Sequence, residues 1–360
     1  MKTSFSSNIG IQSSLAQTMA KAQKELVDAN QEVSTGVHAD MGVALGSSTT
    51  RSLDLTRDLL RIESLQASNS LAKTRIDSSE GALSNMADQV TTASGLLTGL
   101  GNTESTVNEV VLTMTSALDA FTAAGNASAA GEYIFAGTNT DIKPLTSYTD
   151  DGSTFKAAVD LELNQYLSDN GIASKADMTK TEMQTFLEDL QKKFTGETPL
   201  TDPPHTGLAG EDFWKTFVSS ASDSNMTTRI TPSETIVSSV NANDSGFRNF
   251  MFGAIVTIEF LPSATDQTRS AIVDSAQAAL GRASAGVSTQ RSQLGLSSER
   301  ISKATDSLET QKTIIENSVS DLQSVDSYEA ATRVTELQSL LEAAYTLTSR
   351  IQKLSLINYL

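Results

Sequence analysis

Near the end of the chain an apolar residue returns every seven positions. The run is Val273, Leu280, Val287, Leu294, Ile301, Leu308, Ile315 and Leu322, with no proline inside it. A seven-residue repeat held this long predicts one rod-like helix with a narrow buried seam, over roughly 265–325. At ~1.5 Å per residue, the repeat alone would extend on the order of 75 Å. A shorter helix follows, with Val334, Leu337, Leu341, Ala344, Leu347, Ile351 and Leu354 on one face.

The other end of the chain has the same texture. Leu15, Met19, Ala22, Leu26, Ala29 and Val33 step by four and three, which predicts a one-sided helix closed at Gly36. A polar stretch runs to about Thr50. Helical spacing resumes at Leu55, Leu59 and Ile62, and then strengthens through Ile76, Ser79, Leu83, Met86, Val90, Ala93 and Leu97. Gly99-Leu100-Gly101-Asn102 breaks the chain, and Val107, Val111, Met114, Leu118 and Phe121 predict a further helix.

The middle reads differently. All six prolines lie between Pro144 and Pro262, and ten of the twelve phenylalanines lie between Phe135 and Phe260, as does Trp214. Proline is costly inside helices, and aromatics favour sheets and compact cores. The expectation is an inserted α+β domain over 141–262. It has a turn at Asp151-Gly152, a helix near 176–194, and strands at Ile230, at Ile236–Val240 and at Ile255–Ile258.

Charge and composition remove several functions. A net charge of −17, with no basic cluster longer than Lys192-Lys193, argues against nucleic acid as a partner. Both ends are near neutral, which suits ends that meet one another or a partner. There is no cysteine, hence no disulfide and no thiolate metal site. No apolar run reaches the length of a membrane span, so no membrane partner is expected, and Met1–Asn8 lacks the pattern of a cleaved signal peptide.

Catalytic chemistry is not legible. His38 and His205 each lack the partners of a metal site and read as ordinary surface histidines. No P-loop and no nucleophile elbow occurs. Asn241–Gly246 faintly resembles a calcium loop, but Phe252 stands where the bidentate Glu belongs, so a turn is the better reading. No enzyme activity and no cofactor are expected.

One segment differs in kind. Tyr133, Ile134, Phe135, Ala136 and Gly137 form a short strand-like aromatic element that runs on to Pro144. It reads first as a hairpin packing its aromatics on the helices. It also resembles the Y-[IL]-F-[AS]-G element of flagellar hook-associated proteins of the third type, which belong to the flagellin family. Glu32-Val33-Ser34-Thr35-Gly36, Ser79-Glu80-Gly81-Ala82-Leu83, Ala343-Ala344-Tyr345 and the ending Ser355–Leu360 are similar to the shared helical regions of that family. The terminal stretches are shared with flagellin itself, whereas flagellins lack the aromatic element at this position.

What the resemblance implies is a mainly α, elongated flagellin-like helical bundle with terminal coiled-coil helices and an inserted α+β domain. Residues 1–45 with 325–360 would form the terminal coiled-coil domain. Residues 46–140 with 263–324 would form the bundle, and 141–262 the variable outward-facing part. The implied function is a structural hook–filament junction subunit, secreted through the flagellar type III route into the flagellum. Its implied partners are copies of itself in a ring, the first hook-associated protein, flagellin and an export chaperone. Leu15, Met19, Leu26 and Val33, with Leu337, Leu341, Ile351 and Leu354, are the expected subunit contacts, their stripes left open until neighbours cover them. A flagellin filament subunit is the alternative. A ligand-binding or enzymatic module in 141–262 is an alternative of another class.

Overall fold

The computed structural model describes residues 3–100 and 104–357, with side chains over 10–100 and 104–351. Its helices are α1 (Thr3–Thr35), α2 (Met41–Leu45), α3 (Thr49–Thr98), α4 (Glu104–Gly125), α5 (Thr154–Asn170), α6 (Lys180–Thr195), α7 (Ser245–Phe260), α8 (Arg269–Gln323) and α9 (Ser327–Ile357). The strands β1 (Ser128–Ala129) and β2 (Glu132–Tyr133) make one antiparallel hairpin. β3 (Thr227–Thr231) and β4 (Glu234–Val237) make another. Contacts divide the chain into two compact units, residues 1–64 with 307–360 and residues 65–306. The expected break at Gly99–Asn102 is seen as far as Leu100, where α3 has ended; Gly101 and Asn102 lie outside the described residues.

The seven-residue repeat is a real seam. Leu280, Val287, Leu294, Ile301 and Leu308 are each at most 1% exposed, and all lie on α8. α3 carries the matching period, with Ile76, Leu83, Val90 and Leu97 buried. In the second unit, polar pairs fix α3 and α8 as antiparallel neighbours. Gln277 Nε2 donates to Thr98 Oγ1 at 3.3 Å, Arg291 bonds Glu80 at 2.7 Å, and Lys73 Nζ donates to Ser298 Oγ at 3.1 Å. In the first unit the same antiparallel pairing joins Gln323 to Ser52 at 2.8 Å and Lys312 to Glu63 at 3.3 Å.

The stretch 141–262 does not keep a core to itself. Its aromatics belong to one continuous apolar cluster that also takes in α3, α4 and α8 between Ala72 and Ala304. Phe121 of α4 stacks on Phe250 of α7 at 4.0 Å, and Phe135 lies 5.4 Å from Phe247. The bundle helices have to bury their stripes, and the phenylalanines of the middle stretch do that. Burial also pushes the Tyr148 phenol well above its usual pKa, while its hydroxyl donates to Glu259 at 3.0 Å.

Three local expectations need correction. Ile255–Ile258 is helical, inside α7, and not a strand. From Gly246 to Thr257 every residue of α7 is buried, polar Arg248 and Asn249 included, so no exposed face sets a 3.6-residue period to read. Asp244 caps it, accepting from Ser245 N at 2.9 Å, so Asn241–Gly246 is the turn and cap that feed it. The second strand ends at Val237, and Ser238–Val240 run on irregularly. His205 is buried, at 3% exposure, because the loop after α6 folds over α5. Its Nε2 lies 3.0 Å from Glu162 Oε1, and its ring packs 5.1 Å from Phe217.

α7 reaches α8 through glycine. A Cβ on Gly286 would stand 2.5 Å from Gly246 N and 2.6 Å from its Cα, which are backbone atoms that cannot swing aside. Gly281 and Gly295, on the same helix, would meet nothing within 4 Å. The same substitution should therefore change sign along α8. Gly281→Ala and Gly295→Ala are expected to stabilise by up to ~1 kcal/mol through helix propensity. Gly286→Ala is expected to destabilise by ~1–3 kcal/mol through overpacking. Urea unfolding followed by the single tryptophan, Trp214, would check this; equal signs at all three positions would refute it.

Candidate functional site

Among the described residues, no group of three or more His, Asp or Glu is placed to hold a metal. In the first unit the helix pair α1/α9 carries a thin apolar seam with exposed apolar side chains beside it. Ala22, Ala29, Leu337 and Leu341 form its buried seam, with Met19, Leu26 and Val334 packed against it. Alanines on α1 let α9 come close, and they also keep the seam thin. Two leucines at ~1.5–3 kcal/mol each are a small contribution against ordering helices of 33 and 31 residues.

The predicted contact residues divide accordingly. Met19 and Leu26 meet Leu337 and Leu341 across the seam. Leu15 and Ile351 are half-buried and line, with Met19 and Thr348, an open cavity of about 210 Å³. Val33 does not join them; it is 41% exposed. Leu354 is on α9 but outside the residues whose side chains are described. Within the single chain these stripes cover one another in part. Exposed apolar side chains remain on both helices: Ile11, Val27 and Val33 on α1, and Leu340, Tyr345 and Leu347 on α9.

The ends of the pair are tied by a joint that the sequence pattern did not reveal. Val325 N donates to Gly36 O at 2.9 Å, and His38 N donates to Gln323 O at 3.0 Å. Gly36 lies at φ 72°, which stops α1 as its position suggested. Glu32 sits at the centre, 8% exposed. Its carboxylate accepts from Ala39 N at 3.2 Å and lies 3.5 Å from His38 Nδ1 and from Arg333 Nη1. A cleft of about 500 Å³ opens beside it, lined in part by Glu25, Asp28 and Asp40. The only hint in the sequence was an acidic residue within the helix-closing motif.

The aromatic element lies in the second unit and is a structural node. β1 and β2 close through Ala130 and Gly131, at φ 53° and 86°, the left-handed pair of a two-residue hairpin. Arg75 clamps the hairpin, bonding Glu132 at 2.5 Å and donating to Tyr133 O at 3.0 Å. Tyr133 is half-buried, while Ile134, Phe135 and Ala136 are fully buried. Gly137 has φ 64°, and a Cβ there would stand 2.5 Å from Ser222 O. The element therefore works by packing. Ala242 N donates to Phe135 O and Ser222 N to Ala136 O, which joins three separate stretches of chain.

Residues 6–140 match the bacterial flagellin N-terminal helical region, and residues 277–360 match the bacterial flagellin C-terminal helical region. Together these cover well over half of the chain. Comparison with curated protein sequences gives no match. Among solved structures, a protein assigned as a flagellar hook-associated protein of Vibrio parahaemolyticus shares the fold. Its TM-score is 0.51 at 13% identity, over 77% of this chain and 97% of that one. Both helical regions that define flagellins are thus present, one at each end, and the chain belongs to the flagellin family of structural proteins of the bacterial flagellum.

Proposed function

We propose that within this family the chain is a hook–filament junction subunit of the third hook-associated type. The observation that carries the reading is the Tyr133–Gly137 element followed by Pro144, which flagellins lack at this position. Its burial supports a structural reason for the motif, since Gly137 admits no side chain against Ser222 O. The fold likeness to a hook-associated protein agrees.

In this reading the mechanism is mechanical. Residues 1–45 with 325–360 meet neighbouring subunits, 46–140 with 263–324 form the bundle, and 141–262 is the variable part turned to the outside. Leu15, Met19, Leu26 and Val33, with Leu337, Leu341, Ile351 and Leu354, supply the contacts. Val33, being exposed in the single chain, is free for a neighbour. The partners are other copies in a ring, the first hook-associated protein on the hook side and flagellin on the filament side. A chaperone holds the C-terminal helix before export through the flagellar channel.

Seeded growth separates this from the flagellin alternative. Purified chain added to hook or filament seeds is expected to add a short ring and stop. Growth of long filaments would make it a filament subunit.

A further inference from the structure

Asn69 stands where the seam of α3 calls for an apolar side chain. It lies seven residues before Ile76 and is 0% exposed. Its Nδ2 donates to Ile230 O at 3.1 Å and reaches Thr305 Oγ1 of α8 at 3.4 Å. Its Oδ1 is buried without a partner. A buried amide with one acceptor left open is unfavourable, and a leucine would avoid that cost. The amide needs a reason to be there.

Ile230 supplies one. The β3–β4 ladder pairs Thr228 with Ile236 and Arg229 with Thr235, then Thr231 with Glu234, so Ile230 is an extra residue in a bulge. A bulged residue drops out of the ladder. Here its side chain is fully buried and its carbonyl is taken by Asn69. The other ties of this ribbon lie at the exposed rim: Ser297 Oγ donates to Val237 O at 2.8 Å, and Arg300 bonds Glu234 at 2.7 Å. A slip of one residue would turn Ile230 and Ile236 out of the core. A directional amide resists that slip, whereas an apolar side chain at 69 would not. This is the use to which a single buried asparagine is put in coiled coils, where it fixes register at some expense of stability.

We infer that Asn69 is the positioning residue that seats the β3–β4 ribbon in one register on α3 and α8. The chain has no cysteine, so two introduced thiols are unique. Spin labels on Thr235→Cys and Leu296→Cys, both exposed positions, read the seating of the ribbon in the full-length chain. The parent is expected to give one narrow distance. Asn69→Leu is expected to add a second distance and to speed hydrogen exchange at least tenfold in peptides covering 226–239, with α7 peptides unchanged. Thr305→Val is expected to leave both readouts as in the parent, because the bond that matters goes to Ile230. Where Asn69→Leu fails to fold, Asn69→Ser gives the same readouts. A single narrow distance with unchanged exchange would overturn the assignment. So would equal effects from Thr305→Val, or global unfolding of both Asn69 variants.

Discussion

A chain lacking residues 325–360 is expected to keep its second unit folded and to lose assembly altogether. The deletion removes α9 and nothing of the large core, whose residues run from Ala72 to Ala304. The small cluster is the one destroyed, because two of its four buried members are Leu337 and Leu341. α1 then faces water with Met19, Ala22, Leu26 and Ala29 uncovered, and a lone helix with so thin an apolar stripe is marginal. Trp214 separates the two effects. It is the only tryptophan, it is fully buried, and it belongs to the second unit. Its urea transition should be unchanged by the deletion, while incorporation at the hook–filament joint falls to nothing. A shorter lesion, Leu337→Ser with Leu341→Ser, should reproduce the assembly defect with the same unaltered transition. Two outcomes would break the argument: a truncated chain that still joins hook to filament, or a shifted Trp214 transition, which would mean that α9 supports the core after all.

The long helices were legible because their seams are narrow. Leu280 through Leu308 repeat at seven, and a periodic stripe identifies a face without further information. A face is not a neighbour, however. The stripe Leu15–Val33 was readable, but which members meet α9 depends on the crossing of the two helices. Ala22 and Ala29 are buried while Val33 is left out. α7 was misread in part for the opposite reason: surrounded on all sides, it has no exposed face to set a period. α5 was missed because its buried side includes Glu162 among Phe155, Ala158 and Val159, and a buried carboxylate breaks the apolar pattern. His205 and the joint at Glu32 depend on pairings between residues far apart in sequence. The Tyr133–Gly137 element could be found as a motif, yet its burial and the closeness of Ser222 to Gly137 belong to the folded chain alone.

That misplaced glutamate governs the second large effect. Glu162 is 6% exposed and lies between the ammonium of Lys193 on α6 and the imidazole of His205 in the loop that covers α5. Lys193 is itself only 14% exposed, and the His205 side chain 2%. Glu162→Leu would leave the ammonium buried without its counter-charge, and removing one member of a buried pair costs ~3–5 kcal/mol. Stability of the second unit, followed by Trp214 in urea, should fall by that order. Replacing both members with apolar side chains of similar size removes the stranded charge together with its desolvation cost. Glu162→Leu with Lys193→Met is therefore expected to recover most of the loss. A remainder of ~1–3 kcal/mol should persist, because His205 Nε2 is left without its acceptor. Should the double variant be as unstable as Glu162→Leu alone, the loss would come from packing at position 162. The charge between α5 and α6 would then not be what holds the covering loop in place.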